Sequence, residues 1–234
     1  MIDTDLNHPY YVTAADEALT ISCGEYSGEN TLHFYRRNPP AISIGYFRKV
    51  DEDIDLQACE KLGITIVRRT SGGGSIYTDP DQLIFSVITN RPLGYDVEHS
   101  FQVVCIALIK ALKMCGIHAT FKPPNDVLVN DKKVSGAAQV KKKAYLTHAT
   151  IILDLDNKII ERVLKNAKLG YTSSIQKECG FTPEISDLKR ALQNAFQEQL
   201  GIKFENGKFS ETEKKCIQEL IENKYSTDAW NFKR

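Results

Sequence analysis

Two short stretches hold the residue types that could do chemistry. The first, "RRTSGGGSIYTD", runs from Arg68 to Asp79. Its three adjacent glycines carry no Cβ, so backbone N–H groups there can approach a ligand closely and adopt left-handed conformations, which favours an anion. Strand alternation sends Arg68 and Arg69 to opposite faces, so one of them can face the loop's ligand and grip a carboxylate or phosphate. The pattern is neither G-x-x-x-x-G-K-[ST] nor G-x-G-x-x-G, and it lacks the helix those motifs lead into. A glycine-rich turn that holds nothing is the plain alternative. The second stretch, "PPNDVLVNDKKVSGAAQ", runs from Pro123 to Gln139. Taken alone, Asn125 and Asp126 read as a turn before a strand, and Lys132 and Lys133 as solvated charges on a hairpin.

The elements around these stretches follow from pattern. Thr13 and Asp16 in "TAADEALTISCG" make a T-x-x-D capping box with Gly24 closing the helix. "TLHFYRR" and "AISIGYF" flank "NPP" and read as an early strand pair. "DIDLQACEKLG" reads as a short helix ending at Gly63, and "ITIVRR" as a buried strand feeding the glycine loop. "SIYTD" and "QLIFSVIT" resume strand character beyond it. Between Asp96 and Cys115, Phe101, Val104, Cys105, Leu108, Leu112 and Cys115 recur at helical spacing, and Gly116 closes that helix. "DVLVNDKKVSGAAQV" is a hairpin about the Asn130-Asp131 turn, whose residues tolerate positive φ. "YLTHATIILDLD" alternates as a strand. Three helices follow in "NKIIERVLKNA", "ISDLKRALQNAFQEQLG" and "SETEKKCIQELIEN", the last opening with a capping box from Ser210 to Glu213. Strands grouped first and helices later predict an α+β fold, a mixed β-sheet packed with helices on one side.

With 42% hydrophobic residues and no Pro/Gly/Ser-rich linker, residues 1–234 are expected to form a single domain. Thirty basic residues balance thirty acidic ones, so nothing global argues for nucleic acid or a membrane surface. No stretch approaches the roughly 18 apolar residues of a membrane span, and the N-terminus lacks a positive start followed by an apolar run, so a cytoplasmic location is expected. Six cysteines are scattered without a CxxC or a Cys/His cluster and read as reduced, structural thiols. Cys179 alone sits beside a glycine in an expected loop, with no histidine near it in sequence. The lysine run Lys141 to Lys143 reads as a solvated face.

The glycine stretch, "NDVLVNDKKVSGAAQ" and "HATIILDLD" are together similar to the lipoate-protein ligase A family, within the wider biotin/lipoate ligase and transferase superfamily. "ADEAL", "LHFYRRNPPAISIGYF" and "KYSTDAWNFKR" extend the resemblance over nearly the whole chain. It implies a reaction in two steps. Lipoate's carboxylate attacks the α-phosphate of ATP, with Mg²⁺, to give lipoyl-adenylate; the ε-amine of a carrier lysine then takes the acyl group. The expected carriers are lipoyl domains of 2-oxoacid dehydrogenases or the glycine-cleavage H protein. Lys133 matches the family lysine before the [I/V]-S-G step and is the expected catalytic residue, steering the carboxylate and stabilising charge on the acyl oxygen. Arg69, Ser71, Gly72, Gly73, Gly74, Ile76, Thr78 and Gln82 match the ligand loop and the strand after it. Asn125 and Asp126 match a pair beside the adenylate, where Asp126 could hold Mg²⁺. Gly136 and Ala137, with Ala138, let backbone pass close to the acyl-adenylate, and His148 and Thr150 match the H-[G/A]-T strand.

The chain also departs from the family. Thr78 stands where histidine is usual, and Asp81-Gln82 where G-N is usual, so nucleotide contacts from that strand are in doubt. Family ligases that act alone usually carry a further C-terminal domain. The expectation here is a catalytic subunit without one, needing a separate accessory subunit to adenylate well. An octanoyl or lipoyl transferase of the same fold would need a cysteine nucleophile beside the family lysine, and Thr120–Gln139 holds none. Biotin ligation and a non-catalytic lipoate-binding module are the other readings.

Overall fold

The strands divide into two mixed sheets rather than one, in a computed structural model that describes residues 1–25, 28–167 and 169–233. In chain order the elements are β1 (Ile2–Asn7), α1 (Pro9–Glu25), β2 (Thr31–Arg37), β3 (Ala41–Ile44), α2 (Val50–Asp53), α3 (Leu56–Lys61), β4 (Thr65–Arg68), β5 (Ile76–Thr78) and β6 (Gln82–Thr89). There follow α4 (Val97–Met114), β7 (Thr120–Lys122), β8 (Asp126–Val129), β9 (Lys132–Lys141), β10 (Tyr145–Ile152), α5 (Asn157–Val163), α6 (Ile175–Cys179), α7 (Ile185–Leu200), α8 (Glu211–Leu220), a π-helical turn (Ile221–Tyr225) and α9 (Asp228–Asn231). The large sheet runs β1-β2-β6-β10-β9-β8-β7 and the small one β4-β3-β5.

Alternation explains how the large sheet is covered. Leu32, Phe34, Phe85, Val127 and Ala149 face α4 and α7 in the main core. Tyr35 and Ile84 point the other way, toward Val12 of α1. Helices therefore pack on both faces, where the sequence suggested one side, because β2 and β6 are buried along almost every residue and need cover on each side. The expected pairing of "TLHFYRR" with "AISIGYF" does not form either. β2 pairs with β6, while β3 leaves for the small sheet between β4 and β5.

The first helix starts earlier than its T-x-x-D pattern suggested. Pro9 occupies its first turn, where a missing N–H costs nothing, and Thr13 and Asp16 lie buried in the interior. Gly24 falls inside the helix rather than ending it. The other local signals hold. Asp96 caps α4 through His99 N–H at 2.7 Å, Ser210 and Glu213 close their capping box, and Asn130 and Asp131 turn with φ of 48° and 60°. The run at Lys141–Lys143 is exposed, as a solvated face should be, and Lys142 and Lys143 also meet Glu17 and Glu25. Of the closing stretch "KYSTDAWNFKR", Arg234 lies outside the described residues.

Burial pushes the Asp79 carboxyl, in the turn after β5, up to about 6. A carboxylate with a folded-state pKa above its unfolded value favours the protonated folded form, so this group removes stability as pH rises from about 4 to about 6. Asp79→Asn is expected to melt above the wild type at pH 7.5 and to lose that advantage near pH 4, read from thermal melts across the range.

Candidate active site

A cavity of about 470 Å³ opens between the small sheet and the face of the large sheet that carries Tyr35, Ile84 and Thr150. Ile84, Ile152, Leu155, Ile160, Leu164 and Leu169 form its apolar wall. The glycine loop, Lys133 and His148 form its polar wall. Such a space suits a molecule with an apolar tail and a charged head.

The two loop arginines separate as strand alternation requires. Arg68 is fully buried away from the cavity and donates to the carbonyls of Gly45, Tyr46, Arg48, Trp230 and Asn231. Arg69 lines the cavity, yet its N–H groups hold the loop itself: Ser43 O at 2.7 Å, Gly72 O at 2.7 Å, Gly74 O at 2.8 Å and Ser71 Oγ at 3.1 Å. In a planar trans peptide the N–H points opposite to the C=O, so pinning these carbonyls turns the amides of Gly73 and Ser75 away from Arg69. The amides of Gly72 to Ser75 meet no acceptor among the described residues. Gly73 has φ of 95°, and a Cβ there would lie 2.8 Å from Arg69 Nη2. Only glycine fits that corner.

Lys133 projects into the cavity from β9, and Lys132 turns out to solvent, where it reaches Gly170 O. The Lys133 ammonium lies 2.5 Å from Asp126 Oδ1, and Tyr171 O–H donates to Asp126 Oδ2 at 2.9 Å. Backbone bonds pin Tyr171 in turn, since Lys133 N–H donates to its carbonyl at 2.9 Å. A Cβ on Gly136 would meet Lys133 Nζ at 2.6 Å, so that glycine makes room for the ammonium. Asn125 lines the cavity and ties back to Ala137 through its side-chain amide.

His148 reaches the loop from β10, with Nε2 2.7 Å from Ser71 Oγ and Nδ1 3.8 Å from Asp16 Oδ2. Burial lowers the pKa of His148, which favours the neutral ring. Asp16 is a buried hub that takes the hydroxyls of Tyr35 and Ser86 and meets His33 Nδ1 at 2.9 Å. Burial works to raise the Asp16 carboxyl, but the hydrogen bonds and charge of His148 and His33 outweigh it and hold the group well below the usual range. Ser71 is fully buried between Arg69 and His148, so it braces the loop rather than offering a nucleophile.

Of the residues read from sequence, Arg69, Gly73, Gly74, Ile76, Gln82, Asn125, Lys133, Gly136, Ala137, His148 and Thr150 line this cavity. Ser71, Gly72, Thr78 and Asp126 stand behind it. Thr78 is buried, donates to Ala41 O and accepts from Arg37. Sequence reasoning missed Asp16, Arg37 and Tyr171, because each acts through partners remote in the chain. Arg37 and Gln82 both line the cavity with a buried nitrogen, Nε and Nε2 respectively, that meets no acceptor. Asp126 stands just behind the cavity wall: its Oδ2 takes the Tyr171 hydroxyl, while its buried Oδ1 lies beside the Lys133 ammonium without a hydrogen-bond partner and is the oxygen that could meet a hard cation, although the described residues contain no cluster of three or more metal-binding side chains. All six cysteines are described and none lines the cavity. Cys105 sits behind β9 with its thiol pushed up to about 12 by burial, which disfavours the nucleophilic thiolate.

A loop of free amides, an ammonium and an apolar slot thus meet in one cavity. The chain belongs to the family described as the lipoyl protein ligase A/B catalytic domain, whose model matches residues 8–200. It is 29% identical to the octanoyltransferase LipM of Anoxybacillus flavithermus, over all of this chain and 97% of that protein. It is 32% identical to the lipoate-protein ligase A subunit 1 of Thermoplasma acidophilum, over 94% of this chain and 90% of that one. A solved archaeal bipartite lipoate protein ligase from T. acidophilum, studied with its E2 lipoyl domain, superposes with a TM-score of 0.88 at 29% identity, covering 99% and 95% of the two chains. A lipoate-protein ligase A bound with ATP superposes with a TM-score of 0.87 at 29% identity, covering 98% and 96%. The chain is thus an enzyme of the lipoate and octanoate ligase–transferase family, and no helix among its described residues is long and apolar enough to cross a membrane.

Proposed function

We propose that this chain ligates lipoate to a specific lysine of a lipoyl carrier domain, using ATP and passing through lipoyl-adenylate. The observation that carries this reading is one cavity that joins an apolar wall, free loop amides and the Lys133 ammonium, with no thiol on its surface. The apolar tail lies along Ile84, Ile152 and Ile160, and the carboxylate approaches Lys133. The amides of Gly72 to Ser75 receive the α-phosphate of ATP, which enters as its magnesium complex. In the first step the carboxylate oxygen bonds to phosphorus and pyrophosphate leaves. In the second the carrier amine bonds to the acyl carbon, loses its proton and displaces AMP, while Lys133 steadies the charge on oxygen. Carriers of the reading are lipoyl domains of 2-oxoacid dehydrogenases or the glycine-cleavage H protein. A separate accessory subunit for adenylation is supported by the relative named as subunit 1 and by the bipartite archaeal enzyme.

Octanoyl transfer between carriers is the second reading, favoured by the LipM relative that spans the whole chain. Intact-mass spectrometry of a lipoyl domain separates the two. A lipoyl mass gain with lipoate and Mg-ATP, or with preformed lipoyl-adenylate alone if a partner is needed, supports ligation. A gain only from octanoylated carrier protein overturns it in favour of transfer. Changing each cysteine singly to alanine is expected to leave the rate with preformed adenylate within about threefold of wild type, since no thiol takes part. A single cysteine whose loss abolishes transfer would point to the thioester route.

A further inference from the structure

Resting on that reading, we infer that Arg37 is a second anion-binding residue of the cavity, a buried guanidinium that meets the negatively charged head of the bound acid or of its acyl-adenylate. Arg37 ends β2, is 3% exposed and lines the cavity. Its partners are neutral: Thr78 Oγ1 at 3.2 Å and Thr13 Oγ1 at 3.3 Å, with the Tyr35 ring 5.9 Å from the guanidinium carbon. Its Nε meets no acceptor, and among the described residues no carboxylate lies within ion-pair distance of it. A buried charge left this way costs stability unless something else pairs with it.

The surroundings sharpen the imbalance. Arg69 stands beside Arg37, also buried and bonded only to carbonyls and a hydroxyl. Burial first and Arg37 second pull the Arg69 pKa down to about 10. Burial also lowers that of Arg37. The carboxylate behind them is Asp16, already occupied by Tyr35, Ser86 and His33, and His148 is held toward its neutral form. Asp16 is thus the carboxylate nearest in effect to Arg37, yet it is engaged elsewhere and pairs with neither guanidinium, so this part of the pocket carries an excess of positive charge.

The fold does not need this charge. Thr78 donates its hydroxyl to Ala41 O and Thr13 to Pro9 O, so both stay satisfied without Arg37. The orphan Gln82 Nε2 in the same cavity adds a second donor with no acceptor. Donors without acceptors on a cavity wall call for an oxygen anion, and a carboxylate or acyl phosphate supplies it.

The test compares lipoate with lipoamide, which has the same tail and a neutral head, by calorimetric titration of the full chain and by thermal melts. The wild type is expected to favour lipoate by about tenfold or more. Arg37→Met is expected to bind the two within about threefold of each other and, without ligand, to melt at or above the wild type, because an uncompensated charge has gone. Arg37→Lys is expected to keep most of the preference. An Arg37→Met protein that retains the wild-type preference overturns the inference, and so does one that unfolds or melts well below wild type, since either assigns Arg37 to the fold. A wild-type chain that binds neither compound removes the lipoate reading itself, before any variant is compared.

Discussion

Replacing Lys133 by methionine is expected to slow acyl transfer from preformed lipoyl-adenylate by about 10²–10³-fold, the usual cost of losing one preorganised electrostatic group. Methionine keeps most of the length of the side chain and fits the space that Gly136 leaves, so the change removes charge more than shape. The ion pair with Asp126 is partly exposed, with 29% and 15% of the two side chains open to solvent. Its loss therefore costs about 1 kcal/mol of stability at most. A single-turnover assay beside a thermal melt separates the two effects. Slow transfer with a nearly unchanged melt assigns Lys133 to the reaction, whereas equal transfer rates would leave Lys133 as part of a surface pair and return the chemistry to the loop.

Arg68→Leu is expected to have the largest effect on stability, about 3–5 kcal/mol, or a Tm lower by roughly 10 °C. The side chain is fully buried and gathers five carbonyls from two distant parts of the chain. Leucine fills much of the volume and answers none of those acceptors. Further bonds tie the same place: Arg68 N–H donates to Asn231 Oδ1 at 2.9 Å, and Trp230 Nε1–H donates to Arg68 O at 2.9 Å. Urea unfolding measures the loss, and limited proteolysis near Asp228–Asn231 shows whether that segment detaches first. A variant as stable as wild type would mean that water replaces the guanidinium.

What the sequence revealed and what it hid have the same cause. The glycine loop, the Asn130-Asp131 turn and the capped start of α4 depend on a few neighbouring residues, so their local chemistry was legible. Lys133 was singled out by the family resemblance, since taken alone it and Lys132 read as solvated charges; strand alternation then explains why the structure sends the two to opposite sides. The T-x-x-D pattern misled because a buried Asp16, inside α1, serves four partners on β2, β6 and β10, which no local rule anticipates. The same holds for β2 and β3, whose separation into different sheets is decided by what each one pairs with. Arg37 and Tyr171 carried no motif of their own. Their significance appears only when the cavity wall and the Asp126 contact are in place.

The bonds between β4 and Asn231 join residues 163 positions apart. Contacts of such long sequence separation form slowly, because the loop they close must first give up its freedom. A growing chain can therefore assemble the large sheet, with β10 already paired to β6 and β9, before Trp230 and Asn231 are available to brace the strand that leads into the glycine loop. The bracing of the glycine loop through Arg68 is therefore expected to form after the large sheet, an order that pulsed hydrogen exchange during refolding would check.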